Sequence, residues 1–314
     1  MEPFLFLEIL FWMIMDIRMM NNNFRSRLSA TIYTREEDEN RIEPKRVYFL
    51  SVEGNVTEKE YFENIQSFSD ELEINSLVKI EVLKRRKNDT RSAPKDVIEL
   101  LEEYIHSRSE DSIPSDIPES LLKEFDETYI KEYLTNHEAL QSRDQKKFED
   151  FETKLIEIGY DLKYKSYLNR YHNDSDKFCI IIDRDSSSHS AQNLIDCINY
   201  CEAKNYKLYI SNPCFEFWLL LHLSNVITEY KDQLELLKEN KKVSSHNTYI
   251  GNIISNKTHS RKSISINCFK AYYLPNVDKA VERSHYFSTN LSELIDNLGT
   301  NICDLIEEMK RFDE

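Results

Sequence analysis

The chain has 314 residues and a net charge of −15, with 40% hydrophobic and 31% charged residues. This length is sufficient for one large α/β domain with an appendage, or for two modest domains. Eighteen Tyr and sixteen Phe argue against disorder. The four glycines form no G-x-G-x-x-G or G-x-x-x-x-G-K loop, which argues against a P-loop NTPase or a dinucleotide-binding enzyme.

The acidic balance counts against a nucleic-acid partner unless the basic residues are concentrated locally, because contacts to phosphates require Lys and Arg. The six cysteines include no C-x-x-C pair. We therefore expect reduced thiols, including a buried Cys179 in the apolar run FCIII, and a cytoplasmic protein.

The N-terminal run FLFLEILFWMIMDI contains Glu8 and Asp16 and is too short to span a bilayer. It has neither the basic n-region nor the cleavage site of a signal peptide. Two interpretations of residues 1–18 stay open: an upstream start that is not native, or an amphipathic helix that binds a partner. Residues 1–44 are predicted to be an N-terminal arm, and we expect no membrane association.

The first strand-helix unit follows this arm. The run RVYFLSV from Arg46 is apolar and β-branched, and it ends at Glu53-Gly54. TEKEYFENI then predicts a helix with Thr57 as N-cap and Glu60 in a capping box. A second unit comprises the strand VKIEVL at 78–83 and the helix KDVIELLEEYIH, which Pro94 opens.

The segment at about 107–160 is acidic and helix-forming, and we interpret it as an insertion. After it, KFCIIID at 177–183 is an almost continuous apolar run, which is typical of a strand buried on both faces. This strand ends at Asp183-Arg184-Asp185. The alternation of strand side chains predicts that Arg184 points away from both aspartates, into a structural salt bridge.

A helix is predicted over 190–204, with one apolar face formed by Leu194, Ile195, Ile198 and Cys201. A short strand at 206–211 and the helix CFEFWLLLHL, with Pro213 at or near its first turn, follow. His222 and Trp218 in this helix are expected to be core residues, and His189 a solvated loop residue.

Alternating strands and helices predict an α/β fold, a mainly parallel sheet flanked by helices. The predicted organisation is a catalytic domain at 45–225 and a smaller helical and basic region at 226–314. Ligands bind such sheets at the carboxyl ends of the strands. The polar residues predicted at those ends are Glu53, Asp183, Asp185 and Asn212.

Glu53, Asp183 and Asp185 should converge at the tips of neighbouring strands. Like charges at such short distances are costly unless a hard cation neutralises them, and Mg²⁺ or Mn²⁺ suits oxygen ligands. Either motif alone fits a solvated strand end equally well. Together, each after an apolar strand, they favour a metal site.

The strings VEGNVTEKEYF, IIIDRD and SNPCFEFWLLLH resemble the RloB-like group of prokaryotic proteins. The core of that group is similar to the Toprim domains of topoisomerases, primases and overcoming-lysogenization-defect nucleases. The resemblance covers residues 46–104 and 177–223, with a fainter echo at 273–284. It implies a Toprim-like sheet and a metal-dependent nuclease that acts in phage defence beside an ABC-type ATPase partner subunit.

By this resemblance Glu53 corresponds to the Toprim glutamate, and Asp183 and Asp185 to the D-x-D metal ligands. Toprim proteins often have an acidic residue four positions after the glutamate, where this chain has Thr57. Glu58 is therefore a further candidate ligand, and Glu216 is a candidate to complete a second metal site. Two ions about 4 Å apart would activate a water and stabilise the leaving oxygen of the phosphodiester. The sequence leaves open whether DNA or RNA is cut, and it is compatible with a homo-oligomer.

Residues 241–275 carry basic side chains and no acidic ones, which makes them the candidate nucleic-acid-binding segment: Lys241, Lys242, Lys257, Arg261, Lys262 and Lys270. The interleaved aromatic residues suit stacking against unpaired bases: Tyr249, Phe269, Tyr272 and Tyr273. A solvated polar loop is the alternative interpretation. Lys262 is also a candidate catalytic lysine that would neutralise charge at the scissile phosphate.

Three rival functions stay open. A strand followed by D-x-D-S also resembles haloacid-dehalogenase phosphatases, and D-x-D ends a strand in nucleotide-sugar glycosyltransferases. Neither class accounts for EGNVTE. The third alternative is a Toprim-shaped scaffold that binds a partner or nucleic acid without cutting it.

Overall fold

The computed structural model describes residues 44–54, 56–83, 93–107, 113, 117–158, 162, 174–185, 190–245, 247–260 and 263–311. The predictions for the arm, apart from Pro44, and for His189, Arg261 and Lys262 lie outside these residues.

One sheet of five strands organises the described chain: β1 Arg46–Val52, β2 Val78–Val82, β3 Lys177–Asp183, β4 Lys207–Asn212 and β5 Gly299–Thr300. The strand order is β2-β1-β3-β4-β5, with β1 to β4 parallel and β5 antiparallel to β4. The predicted fold class, a mainly parallel α/β sheet, is confirmed. Strand β5 was not predicted, because two residues are too few to show an alternating pattern.

Helices flank the sheet and fill the segment after β2: α1 Thr57–Ser67, α2 Pro94–Ser107, α3 Glu119–Glu124, α4 Glu127–Arg143, α5 Gln145–Ile158, α6 Ala191–Lys204 and α7 Phe215–Leu223. Helix α4 is kinked at Asn136, whose backbone is not helical. The chain after α7 is mostly helical: α8 Val226–Glu229, α9 Leu234–Glu239, α10 Tyr249–Thr258, α11 Ile266–Cys268, α12 Val277–Ser284, α13 Leu291–Leu294 and α14 Ile302–Arg311. Shorter turns of 3₁₀ and π helix lie at Lys231–Gln233, Phe269–Tyr273 and Leu274–Asn276.

The main hydrophobic core runs from β1 to α14, and helix α7 lies at its centre. This helix is apolar on all sides, so it is buried on all sides. Trp218 and His222 are core residues, as predicted. Cys179 is fully buried, and all six cysteines are free thiols.

Helices α3 to α5 have a separate hydrophobic cluster, built around Leu121, Ile130 and Phe151 and joined by Leu162. Among the described residues, none belongs to both this cluster and the main core. The acidic segment therefore has a small core of its own.

Two local predictions are wrong. Helix α1 begins at Thr57, with Val56 as its N-cap, and Glu60 is bonded to Ser263 and Ile264 and does not close a capping box. Pro213 lies next to the N-cap Cys214, near the start of α7 as predicted, and its carbonyl accepts a hydrogen bond from the Asp185 N–H.

The second wrong prediction concerns α6, where Ile195 is exposed and Cys197 is buried beside Leu194 and Cys201. The helix therefore contacts the sheet through a narrower face than expected. Among the described residues, no helix has both the length and the apolar character required to cross a membrane.

Candidate functional site

The carboxyl ends of β1 and β3 lie side by side, because Val52 of β1 is opposite Ile181 of β3. The N–H of Glu53 donates to the carbonyl of Ile181, so Glu53 continues this pairing for one residue. Its carboxylate then turns across the sheet edge and accepts a 2.9 Å hydrogen bond from the N–H of Asp183. Glu53 after β1 and Asp183 at the end of β3 are therefore in contact, as the sequence predicts.

Glu58, in the first turn of α1, reaches back over the strand-helix turn. Its Oε1 atom accepts a 3.1 Å hydrogen bond from the N–H of Gly54. A Cβ atom on residue 54 would lie 2.0 Å from Glu58 Oε2, so a larger residue there would displace this carboxylate from its position. The glycine of the E-G pair therefore permits Glu58 to face the site from an offset of five residues.

The third segment at this edge is the start of helix α7. The N–H of Phe215 donates a 2.8 Å hydrogen bond to Asp183 Oδ1. Glu216 is the next residue, in the first helical turn, where the positive end of the helix dipole favours a carboxylate. β1, α1, β3 and α7 each contribute one acidic group to the same place.

The charges of these carboxylates act on one another. The pKa of the Asp183 carboxyl is raised well above its usual value, first by burial and then by the charges of Glu53, Glu58 and Glu216. The pKa of Glu58 is raised to about 7, again by burial first and by Glu216 second. These four residues form what we call the acidic site, and in the absence of a cation their negative charges destabilise one another.

Coupling of this kind acts over several ångströms, whereas Mg²⁺ needs oxygen ligands at about 2.1 Å. Across the described residues, no group of three or more His, Cys, Asp or Glu side chains is already arranged to hold a metal ion. The oxygens of Glu53, Glu58 and Asp183 are instead directed at backbone N–H groups. The convergence predicted for Glu53 and Asp183 is therefore present, while that of Asp185 stays a prediction. A formed coordination shell is not found among the described residues.

Asp185 lies two residues beyond the end of β3 and is half-buried. Its N–H donates a 3.0 Å hydrogen bond to the carbonyl of Pro213, which keeps it beside the start of α7. Arg184, between the two aspartates, is buried and donates a 2.5 Å hydrogen bond from Nε to the carbonyl of Ile295. This partner is a backbone carbonyl, whereas the sequence analysis predicted a salt bridge, which stays a prediction.

Sequence reasoning missed Cys214. This buried thiol is the N-cap residue of α7, and its pKa is raised by burial and then by the charges of Glu216 and Asp183. Its sulfur accepts a 3.2 Å hydrogen bond from Asn240. The residue stands inside the string SNPCFEFWLLLH, but a single cysteine in an apolar run offers no signal that it borders an acidic site.

The candidate basic residues differ from one another in their surroundings. Lys242 and Lys270 are exposed, and Lys270 lies 5.0 Å above the ring of Phe68. Lys241 is exposed but forms a 2.9 Å ion pair with Glu239. Lys257 is half-buried and pairs with Glu229 at 3.1 Å. Acidic residues outside 241–275 thus offset part of the positive charge that the sequence shows there.

The prediction that interleaved aromatic residues would stack on bases is wrong for two of the four. Phe269 and Tyr273 are core residues with 0% and 1% of their surface exposed. The remaining two are half-buried: Tyr272 packs against the main core, and the hydroxyl of Tyr249 is bonded to Gln233. Phe269 and Tyr273 therefore serve helix packing, while base stacking by Tyr249 and Tyr272 stays a prediction.

The fold and the acidic site define an α/β protein whose acidic residues meet at the carboxyl edge of a parallel sheet. The family model described as RloB-like protein matches residues 48–309, and the chain belongs to the RloB-like family. No curated protein and no solved structure matches the chain.

Proposed function

We propose that the protein is a metal-dependent nuclease of the Toprim type, which hydrolyses phosphodiester bonds in DNA or RNA. One observation carries the proposal: Glu53 and Asp183 are joined at the carboxyl edge of the sheet, where burial and then the charges of Glu53, Glu58 and Glu216 raise the pKa of Asp183. A protein that only needed a stable fold would gain from removing some of this negative charge. A divalent cation bound by these carboxylates would neutralise the negative charge.

The donor set fits Mg²⁺ or Mn²⁺, since it consists of hard carboxylate oxygens beside one deeply buried thiol. Glu53, Glu58, Asp183 and Glu216 would hold the metal, with Asp185 at the same strand end. A bound metal would supply a Lewis acid and an activated water. The backbone N–H groups that now engage these oxygens hold the carboxylates at the sheet edge.

The substrate would be held by basic residues on both sides of α10. Ser263 donates a 2.9 Å hydrogen bond to Glu60, and the N–H of Ile264 donates to the same carboxylate at 2.5 Å, so the chain after α10 is attached to α1. From the sequence we propose Lys262 as the lysine that neutralises the scissile phosphate, with Lys242 and Lys270 as outer contacts.

The biological role is proposed from the family. The chain shows no nucleotide-binding loop, and the resemblance described above implies anti-phage defence with an ABC-type ATPase subunit. We propose such a partner, with the nuclease subunit cutting nucleic acid when that partner signals. A homo-oligomer is compatible with this arrangement.

A second function has an observation in its favour. Because no metal-holding group is formed in the described part of the chain, a Toprim-shaped subunit that binds nucleic acid or a partner without cutting is the alternative. The two proposals differ in what a divalent cation does. Only the nuclease requires it for turnover.

The deciding experiment is incubation of the purified protein with plasmid, single-stranded DNA and tRNA, each with EDTA, Mg²⁺ or Mn²⁺. The Asp183→Asn variant serves as control, because Asn retains an oxygen that can accept from Phe215. The nuclease proposal expects cleavage that depends on metal and is absent in the variant. Binding without cleavage under every condition, with the ATPase partner also present, would establish the alternative.

A further inference from the structure

The residue between the two aspartates has a definite place in the fold. Arg184 continues the pairing of β3 with β4, since its N–H donates to the carbonyl of Ser211 at 2.8 Å. Its guanidinium is buried and bonded to the carbonyl of Ile295 at 2.5 Å. The Arg184 side chain is thus bonded to the segment after β4, whereas the Asp183 side chain accepts a hydrogen bond from the N–H of Phe215 at the start of α7.

A second bond reaches the same short helix from the neighbouring strand. Asn212, the last residue of β4, donates from Nδ2 to the carbonyl of Leu294 at 2.8 Å, and its side chain is buried. Leu294 ends α13, and Ile295 is the C-cap. The last carbonyls of a helix have no partner within it. The ends of β3 and β4 satisfy two of them.

We propose that Arg184 is a positioning residue for the acidic site, which fastens the ends of β3 and β4 to α13 and so fixes the direction of Asp183 and Asp185. This inference rests on the proposed metal-dependent function, but the fastening itself exists without a metal. A cation suits this position because it donates to helix C-terminal carbonyls and is favoured by the negative end of the helix dipole.

The chain offers a matched control. Arg283 also donates from its guanidinium to carbonyls near the end of a helix, those of Leu221 at 2.6 Å and His222 at 3.1 Å. Both carbonyls lie at the far end of α7 from Glu216. Replacing either arginine with Met removes a guanidinium–carbonyl contact, but only Arg184 adjoins the acidic site.

The test compares the wild type with Arg184→Met, Arg184→Lys and Arg283→Met. The first measurement is Mn²⁺ affinity, from the free ion detected by electron paramagnetic resonance. Groups that orient metal ligands typically change affinity by about 10- to 100-fold when they are removed. We expect a loss of that size in Arg184→Met, partial recovery in Arg184→Lys, and a change of less than about twofold in Arg283→Met. Equal losses in both Met variants, or none in Arg184→Met, would overturn the proposal.

The second measurement is amide hydrogen exchange in metal-free protein, which separates this proposal from the proposed function. Exchange at Arg184 and Asp185 should accelerate in Arg184→Met and not in Arg283→Met. If the wild type binds no Mn²⁺, the metal-dependent function fails, while exchange still decides whether Arg184 holds the strand end. Should Arg184→Met not fold, Asn212→Ala removes the neighbouring bond alone and is expected to shift both measurements in the same direction. Unchanged exchange in Arg184→Met or, where that variant does not fold, in Asn212→Ala would overturn the proposed role of Arg184.

Discussion

The carboxylate of Glu53 accepts a hydrogen bond from the N–H of Asp183, across 130 residues of sequence. Asp183 in turn accepts from the N–H of Phe215. These bonds join β1, β3 and α7 through two acidic side chains. Because amide N–H groups stabilise a charged carboxylate, they offset part of the repulsion that the acidic site creates.

The first prediction concerns the two central carboxylates. Glu53→Gln or Asp183→Asn should lower nuclease activity by about a hundredfold or more, since metal-held groups contribute several kcal/mol to the transition state. The metal-free Asp183→Asn protein should melt at a higher temperature than the wild type, because a buried and repelled charge is removed. Activity assays and thermal melts in EDTA test both statements. Full activity in either variant would show that the site assignment is wrong.

The second prediction is a pH dependence of stability from Glu58. Its pKa is raised to about 7 in the folded protein from 4.5, so its contribution to stability is fully present below pH 4.5 and is lost as the pH rises through 7. The loss from this group amounts to roughly 3 kcal/mol in metal-free protein. Glu58→Gln should remove it. Urea unfolding between pH 5 and 8 in EDTA measures the difference, and parallel curves for the two proteins would contradict it.

The third prediction has the opposite sign and concerns His222. Burial lowers its pKa to about 3 from 6.5, and its ring is bonded to the Tyr61 hydroxyl and the Trp218 carbonyl. Its contribution to stability is therefore present above pH 6.5 and is lost as the pH falls towards 3. Between pH 7 and 5 the loss is about 2 kcal/mol.

His222→Gln keeps a neutral polar group in the same place. The variant should be less stable than the wild type at pH 7, and the difference should shrink as the pH falls to 5. The same urea titrations measure it. A difference that stays constant over this range would mean that His222 does not resist protonation in the fold.

The fourth prediction is that the acidic insertion is dispensable for folding. Replacing residues 117–162 with a short Gly/Ser linker should leave a core that melts cooperatively, because the cluster around Phe151 shares no described member with the main core. A pair of single variants provides the control. Phe217→Ala should destabilise the main core by about 3 to 5 kcal/mol, while Phe151→Ala should leave its transition unchanged. Insoluble protein after the replacement would show that the insertion supports the sheet.

The fifth prediction concerns nucleic-acid binding. Lys242→Glu combined with Lys270→Glu should weaken binding and flatten the slope of log affinity against log salt by about one unit per lost phosphate contact. Lys123→Glu, on the exposed surface of α3, is the control and should have no effect on the slope. Lys257 is left out because it is paired with Glu229. An unchanged slope in the double variant would place the nucleic acid elsewhere.

Local sequence patterns were sufficient for strands β1 to β4 and for the helices between them. The short, β-branched apolar run within KFCIIID is typical of a strand buried on both faces, and its four central residues are buried. The rule that ligands bind at the carboxyl ends of parallel strands then put Glu53 and Asp183 at one edge without knowledge of the packing. Local patterns could not predict strand β5 or the exposure of Ile195. Strand β5 depends on pairing with β4, and the exposure of Ile195 depends on which elements pack against α6.

For the acidic site too, part of the arrangement was predictable from the sequence and part was not. The sequence alone determined which carboxylates follow strands, because strand ends are a local property of the chain. Only the tertiary structure decided that Glu58 faces these carboxylates over Gly54, and that Phe269 and Tyr273 are buried and cannot stack on bases. The burial of Phe269 and Tyr273 depends on contacts between residues far apart in sequence, such as Phe68 with Phe269 and His222 with Tyr273. The free energy of such contacts comes from burial and hydrogen bonding that no local pattern contains.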